Sequence, residues 1–223
     1  MATRIKICGI TNKEDARAAV TGGAHALGFV FAASPRRVTP ETARRIIGVL
    51  PPFVTTVGVF VDEKIDVIRD IANRCRLNVV QLHGQENKAY ADALGKSVVK
   101  AFRVNGAQVL AEIKRFGCRH FLLDTLDRHA QGGTGKTFNW RIAHQATALG
   151  KVILAGGLNP TNVAEALARV HPYGVDVSSG VEKHPGCKDH TKIQQFVHEV
   201  LKWDYQTTKD ISANTAAASF PKQ

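Results

Sequence analysis

The feature that most constrains this chain is a unit that recurs eight times: a short β-branched apolar run, a turn holding Gly, Pro or Asp, then a helix-like segment. The runs are RIKIC (4–8), ALGFVF (26–31), VTTVGVFV (54–61), NVVQL (78–82), SVVKAF (97–102), RHFLLD (119–124), KVILA (151–155) and GVDVS (174–178). Between them lie stretches such as TPETARRIIGVL, EKIDVIRDIANRC and NPTNVAEALARV, several of which open on a Thr, Asp or Asn cap or a proline. Near-continuous apolar strands alternating with helices are parallel strands joined by crossovers. Eight such units in about 200 residues predict an α/β fold, a single (βα)8 TIM barrel at the short end of its size range. The competing arrangement, an open doubly wound sheet, carries a glycine-rich turn after its first strand, where this chain has only Gly9.

The barrel is assigned to residues 1–203 and leaves little room for a second domain. From Asp204 onward, YQTTKDISANTAAASFPKQ loses apolar periodicity, so 204–223 is expected to be a flexible or loosely docked C-terminal tail. The amino terminus turns polar within ten residues and no stretch approaches the ~18 apolar residues of a membrane span, which points to a cytoplasmic protein. Cys8, Cys75, Cys118 and Cys187 are far apart, with no CxxC pair and no zinc-finger histidines, so neither a disulfide framework nor a metal site is expected. A net charge of +11 favours anionic partners without choosing between phosphorylated metabolites and nucleic acid.

Barrel enzymes place their chemistry at the C-terminal ends of the strands. Cys8 ends the first strand and Asp124 the sixth, three steps apart around an eight-membered ring, so a small substrate between them meets one group on each side. Alternation puts Arg4, Lys6 and Cys8 on one side of the first strand and Ile5 and Ile7 on the other. With the isoleucines facing the helices, Lys6 sits inside the barrel ~7 Å below Cys8, where its charge is expected to favour the thiolate. The bland alternatives are an inert core thiol at Cys8 and a strand-ending cap at Asp124.

LAGGLNP (154–160) and DVSSGVE (176–182) follow the seventh and eighth strands and offer glycine-exposed backbone amides, the usual phosphate site of this fold. QGGTGKT (131–137) has Ala130 where a nucleotide-binding P-loop requires glycine, and reads better as a lid after Asp124. SPRR (34–37) brings Arg36 and Arg37, either of which has the fork to hold a carboxylate.

Seven motifs in order, KICGIT (6–11), GFVFAASPRRV (28–38), QLHG (81–84), LLD (122–124), GGTGKTFNW (132–140), LAGGLNPTNV (154–163) and GVDVSSGVEKHPGCKD (174–189), resemble those of the phosphoribosylanthranilate isomerase family. The resemblance implies conversion of N-(5-phosphoribosyl)anthranilate to 1-(2-carboxyphenylamino)-1-deoxyribulose 5-phosphate, an Amadori rearrangement of tryptophan biosynthesis that uses no cofactor. It implies Cys8 as general base and Asp124 as general acid. Arg36 would bind the anthranilate carboxylate, His83 and Asp176 would line the site, and Gly156, Gly157, Ser178, Ser179 and Gly180 would hold phosphate. Acid and base must hold opposite protonation states at one pH. The substrate phosphate opposes a thiolate, so the seventh and eighth loops are expected on the far side of the mouth from Cys8.

Two rivals carry less. A histidine-pathway sugar isomerase would have an aspartate base and phosphate-binding glycines after the third strand, where this chain has VDEKID. A nucleic-acid-binding module would show an aromatic–basic stripe, whereas the lysines and arginines here are dispersed. The expected partner is therefore a phosphorylated small molecule, with neither nucleic acid nor membrane, on a monomer or homodimer.

Overall fold

A computed structural model describes residues 2–124 and 140–218, with side chains through residue 209. The eight strands are β1 (Arg4–Cys8), β2 (Ala26–Val30), β3 (Thr55–Phe60), β4 (Val79–Leu82), β5 (Val98–Arg103), β6 (His120–Asp124), β7 (Lys151–Ala155) and β8 (Gly174–Val177). They pair in parallel in sequence order, and β8 returns to β1, closing the barrel. Among the described residues the α-helices are α1 (Lys13–Gly22), α2 (Pro40–Ile47), α3 (Ile65–Cys75), α4 (Lys88–Ala93), α5 (Gln108–Phe116), α6 (Trp140–Ala146), α7 (Val163–Val170) and α8 (His190–Ala218). A short hairpin of β9 (Glu182–His184) and β10 (Cys187–Lys188) lies between β8 and α8.

Local chemistry starts and stops several of these elements. Asn12 and Asn87 cap α1 and α4 by accepting from the amides of Asp15 at 2.7 Å and Tyr90 at 2.9 Å. Thr39 caps α2, with Pro40 at its first position. Gly23 ends α1 at φ 107, a conformation that costs glycine least. Ile5 and Ile7 are buried in the layer between barrel and helices, so the other side of β1, carrying Lys6 and Cys8, turns inward.

The expected boundary at 203/204 is not a break in secondary structure, because α8 continues to Ala218. Ile193, Phe196, Val197 and Val200 sit at spacings of three and four and bury one stripe of α8 against the core. Each such burial stabilises by roughly 1.5–3 kcal/mol. Asp204 then accepts from the backbone amide and hydroxyl of Thr3, both at 2.7 Å, and ties the start of the barrel to its last helix. Loss of apolar periodicity marked the end of the buried stripe rather than the end of the helix. The segment QGGTGKT and most of GGTGKTFNW lie outside the described residues.

Candidate active site

The sites for Cys8 and Asp124 are the last residues of β1 and β6, at the C-terminal mouth of the barrel. Cys8 pairs in register with Gly28 on β2. A Cβ built on Gly28 would stand 2.7 Å from Cys8 Sγ and 3.0 Å from Lys6 Cε, so this glycine makes room for both. Lys6 is inside the barrel, since its Nζ donates to Asp176 Oδ2 on β8 at 2.8 Å and to Gln81 Oε1 on β4 at 2.9 Å. Sγ therefore lies on the same inner side as Lys6.

The bonding continues across the barrel. Gln81 Nε2 lies 3.2 Å from His83 Nδ1, and His83 Nε2 lies 3.3 Å from Asp124 Oδ2. Asp176, Lys6, Gln81, His83 and Asp124 thus form one hydrogen-bonded series from β8 and β1, through β4, to β6.

The expected effect of Lys6 on Cys8 is present but does not win. Burial pushes the Cys8 thiol above its ordinary range and Asp176 adds to this, while Lys6 and Lys188 pull the other way. Desolvating a thiolate outweighs the nearby cation, so the resting group is the thiol rather than the activated anion predicted. Burial also disfavours charge on Lys6, yet Asp176 and Cys8 together raise its pKa, which keeps it an ammonium.

Arg36 is placed by partners the sequence reading missed. Its Nε and Nη2 donate to the two carboxylate oxygens of Glu182 on β9 at 2.8 and 2.7 Å. Lys188 on β10, its side chain wholly buried, donates to Glu182 Oε1 at 2.8 Å and to the Ser178 carbonyl at 3.2 Å. Burial pushes Glu182 up, but the bonds from Arg36 and Lys188 outweigh it and hold the carboxyl below its ordinary value. No local signal in the sequence marks these partners, which only the fold brings together; beside them, a Cβ on Gly9, at φ 77, would meet Arg36 Cδ at 2.7 Å and Ser178 Oγ at 3.1 Å.

That contact corrects the expected layout of the loops. Because the barrel closes, β8 neighbours β1, and Ser178 stands beside Gly9 rather than across the mouth from Cys8's strand. Gly156 and Gly157 follow β7 at φ 92 and 70, and Asn162 Nδ2 holds the Gly157 carbonyl at 3.0 Å. Ser179–Val181 forms a single 3-10 turn, in which a Cβ on Gly180 would fall 1.9 Å from the Leu158 carbonyl oxygen. The two loops are therefore packed backbone to backbone. Asp176 Oδ1 and Ser178 Oγ are buried with no hydrogen-bond partner among the described residues, two polar atoms whose desolvation nothing there offsets. Among the described residues no three His, Cys, Asp or Glu side chains gather as a metal site.

Fold and site together define a (βα)8-barrel enzyme with its polar groups gathered at the C-terminal mouth. Comparison with known proteins is more specific. Residues 5–199 match the family described as N-(5'-phosphoribosyl)anthranilate isomerase. Proteins of that name from Geobacter sp. (strain M21) and Geobacter sulfurreducens are 51% and 52% identical over 201 residues, covering 90% of this chain and 98% and 99% of theirs. The crystal structure of the Thermotoga maritima phosphoribosyl anthranilate isomerase is 44% identical, with a TM-score of 0.81 over 90% of this chain and 99% of that one. A second solved isomerase, in complex with reduced 1-(o-carboxyphenylamino)-1-deoxyribulose 5-phosphate, is 41% identical with a TM-score of 0.78, again over 90% and 99% of the two chains. This chain belongs to the phosphoribosylanthranilate isomerase family.

Proposed function

We propose that this chain performs the isomerisation for which its family is named, the Amadori rearrangement of N-(5-phosphoribosyl)anthranilate in tryptophan biosynthesis, with Asp124 as acid and Cys8 as base. Asp124 donates its proton to the furanose ring oxygen, opening the ring to a Schiff base. Cys8 takes the C2′ proton through its thiolate form, the minor one at rest because burial favours the thiol, and the resulting enolamine tautomerises to the ketone. The observation that carries this reading is the position of the two groups at the ends of β1 and β6, at one barrel mouth, in a member of this family.

The remaining roles rest on the same mouth. Arg36, held on one edge by Glu182, keeps the other edge of its guanidinium for the anthranilate carboxylate. Gly156, Gly157, Ser178, Ser179 and Gly180 hold the phosphate, and Ser178 Oγ gains there the partner it lacks. Asp176 and His83 line the site between them. The cytoplasm is the compartment we assign, on the strength of a biosynthetic family. A homodimer is favoured over a monomer by Phe53, a fully exposed phenylalanine at φ 71 beside a cavity of about 470 Å³ at the N-terminal end of the barrel. A Thermotoga maritima relative is likewise described as dimeric. The solution mass decides it.

The functional test is turnover by Cys8→Ala and Asp124→Asn, followed by loss of anthranilate fluorescence. Each should lose kcat by at least about 1,000-fold, with binding of the reduced product analogue kept. Wild-type turnover in either variant rejects that residue's role.

A further inference from the structure

We propose that Gln81 is a positioning residue that fixes the tautomer of His83, and through it decides which oxygen of Asp124 carries the acidic proton. The last step rests on the reading of Asp124 as the acid; the tautomer itself does not.

Donor and acceptor requirements pass from one group to the next along the series. Lys6 is an ammonium, which donates and never accepts. The Gln81 atom 2.9 Å from its Nζ must therefore be the amide oxygen, whichever way the amide is drawn. Asp176, 2.8 Å from the same nitrogen, holds the ammonium in place. With the oxygen committed to Lys6, the group 3.2 Å from His83 Nδ1 is the amide NH2, which only donates. Nδ1 must then present its lone pair, so the neutral ring carries its hydrogen on Nε2. An imidazolium, or the other neutral tautomer, would set Nδ1–H against the amide hydrogens.

Nε2–H lies 3.3 Å from Asp124 Oδ2 and donates to it. A carboxyl proton on Oδ2 would compete for the same line, so the bond directs the acidic proton to Oδ1. The direction of every bond in the series is thus set at the Lys6–Asp176 end, next to Cys8, and read out at Asp124. Gln81 is buried, and among the described residues its side chain bonds to Lys6 and His83, so it acts through them and not on substrate.

The backbone around His83 is held independently of this series. Lys100 on β5 donates to the Gly84 carbonyl at 2.7 Å and to the Leu82 carbonyl at 3.4 Å, while Glu86 Oε2 accepts from the Gly84 amide at 2.9 Å. Lys100 and Glu86 are themselves paired at 3.1 Å. These two charges, from β5 and from the loop after β4, hold the backbone next to His83, with Asp124 facing the ring from β6 and Lys6 and Asp176 behind Gln81. The position of His83 therefore survives a change at Gln81, and only the ring's proton is at stake.

The test is 15N NMR of the full-length chain labelled at histidine, with the His83 signals assigned by their loss in His83→Gln. Wild type between pH 7 and 8 should show a pyridine-like Nδ1 and a pyrrole-like Nε2. Gln81→Glu, which turns an acceptor toward Nδ1, should move hydrogen to that nitrogen; Gln81→Leu should leave a mixture. Both variants should lose kcat by about 10- to 100-fold, by analogy with the partners that orient metal-bound histidines from behind, with KM within about twofold. A wild-type ring protonated on Nδ1 overturns the proposal, and this measurement needs no Gln81 variant to fold. An unchanged tautomer or unchanged kcat in folded Gln81→Glu also overturns it. Failure of the acid assignment is separate: Asp124→Asn would then turn over normally while the His83 tautomer remained as stated.

Discussion

Removing the Glu182 carboxylate should cost this protein more than removing the lysine buried against it. Glu182 accepts from Arg36 twice, from Lys188 once and from the Gly186 amide at 3.3 Å. In Glu182→Leu, Lys188 remains in the interior with the Ser178 carbonyl as the remaining partner of its ammonium among the described residues, and Arg36 loses its anchor. Breaking a buried pair from one side in this way costs about 3–5 kcal/mol. At about 2–4 °C per kcal/mol for a chain of this size, Tm should fall by roughly 6–20 °C. Lys188→Met leaves Glu182 paired with Arg36, so its cost should be nearer 1–3 kcal/mol, the worth of one charged hydrogen bond and its desolvation. Combined with Glu182→Leu it removes the stranded ammonium, so the double variant should lie above the sum of the singles by at least ~1 kcal/mol. Because the Glu182 pKa is depressed, its contribution is complete above the ordinary carboxylate range and is lost as pH falls through the lower folded value. The gap between wild type and Glu182→Leu should therefore narrow in acid. Urea melts of the four proteins across pH decide the matter. A Glu182→Leu protein within ~1 kcal/mol of wild type, or strict additivity in the double variant, would refute the reasoning.

Three further outcomes are expected. Arg36→Ala should raise KM by an amount near the low end of ~1.5–3 kcal/mol, since one edge of the guanidinium is already committed to Glu182; steady-state kinetics with kcat unchanged in order of magnitude would agree, and an unchanged KM would remove the carboxylate contact. Alkylation of Cys8 by iodoacetamide should rise about tenfold per pH unit and level off only above the ordinary thiol range, because burial outweighs Lys6. Lys6→Met should slow it further at pH 7, and a plateau already reached at pH 7 would contradict the burial argument. Gly180→Ala forces a methyl to within 1.9 Å of the Leu158 oxygen unless the loops part; kcat/KM should fall by roughly 100-fold, as an ångström of misplacement can cause, inhibition by inorganic phosphate should weaken with it, and unchanged inhibition would move the phosphate elsewhere.

Much of this protein was legible in one dimension. Strand runs such as RIKIC and KVILA contain their own instruction, since alternation along β1 already separates Ile5 and Ile7 from Lys6 and Cys8. The ends of those runs named Cys8 and Asp124 as the groups at the mouth. The sequence of motifs named the family, which the comparisons then bore out.

Tertiary structure decided what depends on neighbours distant in the chain. Glu182 and Lys188 are unremarked charges until the hairpin after β8 brings them under Arg36, 146 residues away from Glu182 in the sequence. Gln81 is an ordinary strand residue until closure of the barrel puts it between Lys6 and His83. Closure also set β8 beside β1, which placed Ser178 near Gly9, and burial inside the ring reversed the expected direction for the Cys8 thiol. Periodicity and strand ends are local properties that each segment carries alone. Desolvation and hydrogen-bond direction exist only once eight segments share an interior, and so could be read only there.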